Sequence, residues 1–232
     1  ARQAPGARVV VHQAGARHLA RPEKLIRSMT QARGEGLERY GEVAPLPEDR
    51  MIPVAGGEVL KLGDGQSLEI IYAPGHAPHQ ICIRETRDNS VFTGDAAGVY
   101  VADADLVIPA TPGPNFDLEE TLATIEKIRG LEPSRLCFAH YGASTRTGYL
   151  LDAVTREIRE WDTIVRKAVK DGGFDRAAAE MTALRRAELE PVKDRPLLYE
   201  SLSDIGIRLS VEGFLQYYQE RFLAESRNME EQ

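Results

Sequence analysis

Ala73-Pro74-Gly75-His76-Ala77-Pro78-His79-Gln80 is the stretch on which the reading of this chain turns. It follows Leu68-Glu69-Ile70-Ile71-Tyr72, a β-branched and aromatic run that reads as a strand, and it precedes a second such run, Ile81-Cys82-Ile83. A histidine therefore stands at a strand-to-loop junction. Two more polar residues stand in the same kind of place. Asp95 closes Phe92-Thr93-Gly94-Asp95, and His140 ends Arg135-Leu136-Cys137-Phe138-Ala139. Ligand-binding groups tend to gather at such junctions in layered α/β folds, and two imidazoles with a carboxylate suit zinc, iron or manganese. Spacing alone leaves an ordinary alternative open at each position. A His after Pro-Gly is commonly a loop residue, and Gly-Asp after a strand is commonly a turn.

Working outward, the flanking segments read as hairpins. Val59-Leu60-Lys61-Leu62 and Leu68 to Tyr72 enclose Gly63-Asp64-Gly65, and Ile81 to Ile83 and Val91 to Thr93 enclose Asp88-Asn89. Upstream, Ala7 to His12 is a buried strand, and Arg21 to Arg39 reads as a helix that its glycines weaken towards the end. Pro45, Pro47 and Pro53 mark an irregular connection. Downstream, Asp117 and Glu120 form a capping box for a helix through Ile128, stopped by Gly130.

Beyond Gly148 the composition turns helical. Leu151, Val154, Ile158, Trp161, Val165 and Ala168 step by three or four along one stripe, ended by Asp171-Gly172-Gly173. Asp175 is placed to cap a second helix, Leu197 to Ile205 suggest a third, and Ser210 is placed to cap a last one carrying Phe214 and Tyr218. The organisation expected is an α/β domain over residues 1–148 and a helical C-terminal extension over 149–232.

Composition bounds the function. The 232 residues are 42% hydrophobic and 28% charged, a globular balance. The net charge of −7 argues against a general nucleic-acid binder or a basic membrane-surface protein. No long uncharged apolar run offers a membrane span. Two cysteines, Cys82 and Cys137, are too few for a disulfide scaffold and suit a reducing, cytoplasmic setting; inside strands they read as inert core thiols. Tyr100, Asp103 and Asp105 read as a solvated loop, with the mouth of a pocket as the alternative. Tyr217, Tyr218 and Phe222 read as packing or a dimer contact.

Taken in order, these motifs resemble the later motifs of the metallo-β-lactamase superfamily. Ala73 to Pro78 resembles its Thr-Pro-Gly-His-Thr-Pro-Gly-His run, Phe92 to Asp95 its Gly-Asp motif, and Phe138-Ala139-His140-Tyr141-Gly142 its last His motif. Val9 to Leu19 resembles the strand and helix after the family's first motif. The resemblance spans residues 1 to about 147. It implies an αββα sandwich, of which this chain carries mainly the second half. It also implies a two-zinc centre, with iron or manganese as other metals, in which His76 serves one ion, His140 the other, and Asp95 bridges both. The implied activity is attack of a metal-bound hydroxide on an ester, thioester, amide or phosphoester, with a small-molecule substrate that Tyr141 would face.

The chain departs from the family pattern twice. Gln80 stands where the motif has its second His, with His79 one position earlier. The His-x-His-x-Asp-His motif is absent from these 232 residues, so no catalytic residue is assigned. Two protein ligands per ion fall short of the three that a catalytic zinc keeps, which predicts weak metal binding and little hydrolysis. The absence is read as truncation of a longer enzyme at Ala1. A catalytically dead interaction protein working through its C-terminal helices is one alternative, and an iron-dependent persulfide oxygenase of the same superfamily is another. Half a sandwich would expose an apolar sheet face, which predicts a homo-oligomer.

Overall fold

The computed structural model describes residues 4, 6–33, 41, 43–140, 142–171 and 173–230. They fall into two compact units, Ala1–Glu58 and Val59–Gln232.

In the first unit, β1 (Val9–His12) runs into α1 (Gln13–Ala20) and α2 (Glu23–Arg33), and β2 (Met51–Val54) pairs parallel with β1. His12 is buried and acts as the N-cap of α1, its Nδ1 accepting a hydrogen bond from the Ala14 amide at 3.3 Å. The end of the helix expected over 21–39 falls at residues 34–39, outside the described residues. The region of Pro53, expected to be irregular, contains a strand. Pro53 can take part because its missing N–H matters least in a short pairing with β1 alone.

The second unit is built on a six-stranded mixed sheet in the order β10-β9-β6-β5-β4-β3. Its strands are β3 (Val59–Gly63), β4 (Gln66–Tyr72), β5 (Ile81–Glu85), β6 (Ser90–Gly94), β9 (Arg135–Phe138) and β10 (Ala143–Ser144). Both expected hairpins form, with Asp64 and Asn89 in the left-handed region, where Asp and Asn are tolerated. Between β6 and β9 lie a small antiparallel pair, β7 (Val99–Val101) and β8 (Leu106–Ile108), and then α3 (Leu118–Gly130). The capping box is realised on one side: the Asp117 carboxylate accepts from the Glu120 amide at 2.8 Å. Ile125 and Ile128 of α3 share one core with Cys82, Val91 and Leu136 of the sheet.

The C-terminal helices are α4 (Thr147–Asp171), α5 (Phe174–Glu188), the short α6 (Pro196–Glu200), a π-turn over Ser201–Ile205, and α7 (Gly206–Glu230). All six residues of the predicted α4 stripe are buried, and each large aliphatic side chain so placed contributes roughly 1.5–3 kcal/mol. The helix packs on α3, α5, α7 and β8. Two expected caps are corrected. Asp175 lies inside the first turn of α5, and Ser210 is buried within α7, because the chain enters α7 from the π-turn without a break.

Among the described residues no helix is long and apolar enough to cross a membrane.

Candidate metal centre

The sheet register brings the three predicted donors to one edge. β6 and β9 are parallel, with Gly94 opposite Phe138, and the Ala139 amide donates to the Gly94 carbonyl at 3.3 Å. Asp95 and His140, just past those strand ends, are therefore neighbours. β4 and β5 are antiparallel with Tyr72 opposite Ile81, and β5 and β6 are antiparallel in turn. That alternation returns the end of β4, and with it His76, to the same edge.

Local chemistry holds the His76 loop in place. Gly75 has φ +128°, and a Cβ there would lie 2.5 Å from the Thr121 backbone, so only glycine lets the loop come this close to α3. Three donors then tie the loop to that helix. The Asp117 amide bonds the Gly75 carbonyl at 2.8 Å, Thr124 Oγ1 the Pro74 carbonyl at 2.7 Å, and Lys127 Nζ the Tyr72 carbonyl at 2.8 Å. Gln80 has a structural task at its motif position. Its Nε2 donates to the Ile81 carbonyl at 3.1 Å and lies against Gly94, where a Cβ would come within 2.1 Å.

Asp95 sits between the two histidines. Its Oδ2 is 3.7 Å from His76 Nε2 and its Oδ1 is 3.3 Å from His140 Nε2. The other nitrogen of His76, Nδ1, lies 2.9 Å from the Ala110 carbonyl oxygen. A carbonyl only accepts, so Nδ1 carries the hydrogen. In the neutral ring Nε2 is then a lone pair facing a carboxylate. Asp95 Oδ1 is buried and accepts no aligned hydrogen bond among the described residues, although His140 Nε2 is near. Lone pair against carboxylate, with a buried oxygen left over, is an arrangement that a cation between them would satisfy.

The donor types suit a metal ion, while among the described residues no group of three or more His, Cys, Asp or Glu side chains is placed to hold one.

Other candidates resolve into structure. Tyr141 lies outside the described residues. Cys82 is fully buried, and burial pushes its thiol up to about 12; burial also raises Cys137. Tyr100, expected in a solvated loop, is buried in β7, its hydroxyl donating to Asp105 at 3.2 Å, while Asp103 and Asp105 pair with Arg195 and Arg146. Tyr217 and Tyr218 are buried within the chain and bond Glu119 and Asp162. A cleft of about 640 Å³ lies behind the His76 loop, lined by Pro74, Gly75, Phe116, Glu120, Tyr217 and Glu220; none of the three donors lines it. Sequence reasoning missed Ala110, which acts through a backbone carbonyl and so leaves no side-chain signal.

Residues 2–140 match the family model of the metallo-beta-lactamase superfamily, well over half of the chain. The chain belongs to the metallo-β-lactamase superfamily. A curated relative, the metallo-beta-lactamase fold-containing protein ST1585 of Sulfurisphaera tokodaii, is 36% identical over 121 residues. That match covers 52% of this chain and 44% of the relative, so the chain spans less than half the length of that superfamily protein. The crystal structure of ST1585 from Sulfolobus tokodaii superposes with a TM-score of 0.56 at 28% identity, covering 68% of this chain and 72% of that one. A metallo-beta-lactamase family protein from Thermus thermophilus, TTHA1429, has a TM-score of 0.62 at 18% identity over 93% of this chain and 67% of that one, a likeness of fold. The superfamily fold is accordingly the fold of this chain, with α4 to α7 following its sheet.

Proposed function

We propose that this chain carries one side of a dinuclear metal centre belonging to a metal-dependent hydrolase, with zinc as the metal and an ester, thioester, amide or phosphoester as the substrate class. The observation that carries the reading is the placement of His76. Its Nδ1 lies 2.9 Å from the Ala110 carbonyl oxygen, its Nε2 faces the Asp95 carboxylate 3.7 Å away, and His140 stands 3.3 Å from the other carboxylate oxygen.

In this reading His76 and Asp95 would hold one ion, and His140 and Asp95 the other. When bound, such ions polarise a carbonyl or phosphoryl oxygen and lower the pKa of water towards neutrality. The protein's own part is orientation. Ala110 fixes the His76 ring, the clamp from α3 fixes its loop, and the parallel β6–β9 register sets Asp95 beside His140. Two protein donors per ion leave each site short of three, so the 232 residues by themselves bind metal weakly and turn over little.

The test is a zinc or cobalt titration of this chain followed by optical absorption and calorimetry, with His76→Ala and Asp95→Asn alongside. Weak binding that both substitutions weaken further supports the reading; binding unaffected by either sinks it. Turnover of a generic thioester or phosphodiester is expected to stay near buffer level.

A further inference from the structure

The loop that carries Ala110 is not held by the sheet alone. It runs from Pro109 to Asp117, and α7 lies directly on it. Gly213 of α7 is the point of closest approach. A Cβ there would lie 2.0 Å from the Thr111 carbonyl oxygen, 3.0 Å from the Gly113 amide nitrogen and 3.1 Å from the Pro112 carbonyl carbon, all backbone atoms. A glycine weakens the interior of a helix, so its presence seven residues into α7 needs a reason, and the close approach supplies one. Next to that contact, towards the end of the loop, the packing is aromatic. Phe116 meets Phe214 with ring centroids 4.8 Å apart and Tyr217 at 6.1 Å. Tyr217 and Arg221 then bond the Glu119 carboxylate in the first turn of α3.

The interface also encloses polar atoms. Thr111 is buried, and neither its Oγ1 nor Gln216 Oε1, also buried, has a hydrogen-bond partner among the described residues. What the loop delivers is the Ala110 carbonyl, 2.9 Å from His76 Nδ1.

We infer that α7 is a positioning element for His76, acting through Gly213. The helix seats the 109–117 loop, the loop aims the Ala110 carbonyl, and the carbonyl selects the tautomer that leaves the His76 Nε2 lone pair towards Asp95. The outer partner of a metal-binding histidine fixes its tautomer and ring orientation. Here that partner is governed by a helix more than one hundred residues further along the chain. The inference rests on the reading of His76 as a metal donor, but its first readout needs no metal.

The experiment is ¹⁵N NMR of the His76 ring in the full 232-residue chain without metal, for wild type, Gly213→Ala and Gly130→Ala. The last is a control, because a Cβ at Gly130 meets nothing within 4 Å. With spectra recorded at a pH high enough to keep the ring neutral, wild type and Gly130→Ala are expected to show a single tautomer with Nδ1 protonated, and Gly213→Ala a mixture of the two. Zinc affinity measured on the same samples is expected to fall roughly tenfold in Gly213→Ala, the scale on which outer partners of a ligand act. A folded Gly213→Ala protein with the wild-type tautomer overturns the inference. Should Gly213→Ala not fold, Phe214→Leu loosens the same contact more gently; a tautomer mixture there supports the inference, and an unchanged tautomer overturns it. If wild type binds no zinc at all, the metal reading fails while the tautomer comparison still decides the role of α7.

Discussion

The two histidines that flank Asp95 are delivered in different ways. His76 stands on a loop tied to α3 by three hydrogen bonds, its ring is oriented by Ala110, and its side chain is 21% exposed. His140 follows the end of β9, beside the two-residue strand β10, and its side chain is 50% exposed. The first arm is preorganised by packing behind it. The second depends on the β6–β9 register and keeps half its surface in water. A donor already fixed in its binding conformation loses less freedom when a ligand arrives, so the two arms should contribute unequally to any shared site.

The largest effect should come from the residue common to both arms. Asp95→Asn keeps the shape but removes the charge that both imidazoles face. Its zinc affinity should fall by more than the about 10–100-fold that losing an outer partner costs. Competition titration against a chromophoric chelator measures this, and an affinity like wild type would show that the two arms do not meet at Asp95. The next effect separates the arms. His76→Ala should weaken zinc at the upper end of that roughly 10–100-fold range and His140→Ala at the lower end. The reverse order would mean that exposure, and not preorganisation, governs the site.

Much of this contrast was legible in the sequence, for reasons that are local. The hairpin over Val59 to Tyr72 was announced by Gly63-Asp64-Gly65, and the Asp117 cap by its spacing to Glu120, because turn and cap chemistry act within a few residues. The α4 stripe was legible because helical period and burial coincide there. His76, Asp95 and His140 stand at strand ends in the sequence as in the structure, and the resemblance reads those positions as metal donors.

What escaped the sequence is non-local. β2 forms through a parallel pairing with β1, some forty residues away, which Pro53 disguises. β7 and β8 are three residues each, and their acidic turn hides that Asp103 and Asp105 pair with Arg195 and Arg146 from beyond β9. Ser210 has the residue type of a cap, yet the π-turn carries helix straight through it. The Ala110 carbonyl belongs to the backbone, and only the folded loop shows what it faces.

A stability experiment sharpens the same comparison at smaller scale. Gly75 and Gly142 each sit beside one of the histidines at positive φ, +128° and +154°. At Gly75 an added Cβ meets the Thr121 backbone at 2.5 Å, whereas at Gly142 it meets the Ala102 side chain at 2.7 Å. Gly75→Ala should therefore cost about 1–3 kcal/mol in urea unfolding, and Gly142→Ala less, since a backbone clash forces the chain itself to move. Equal losses would mean that the His76 loop is no more firmly seated than the His140 segment.

The smallest effect expected is at the end of α3 that the loop rests on. Asp117→Ala removes the side-chain acceptor for the Glu120 amide, which should cost about 1 kcal/mol of stability. The bond from the Asp117 amide to the Gly75 carbonyl is made by the backbone and survives the substitution. Zinc affinity should then stay at the wild-type value while the urea midpoint falls. If affinity falls as well, the cap is part of what holds His76 in place. The preorganised arm would then begin at the first turn of α3, one step further from the metal than the loop itself.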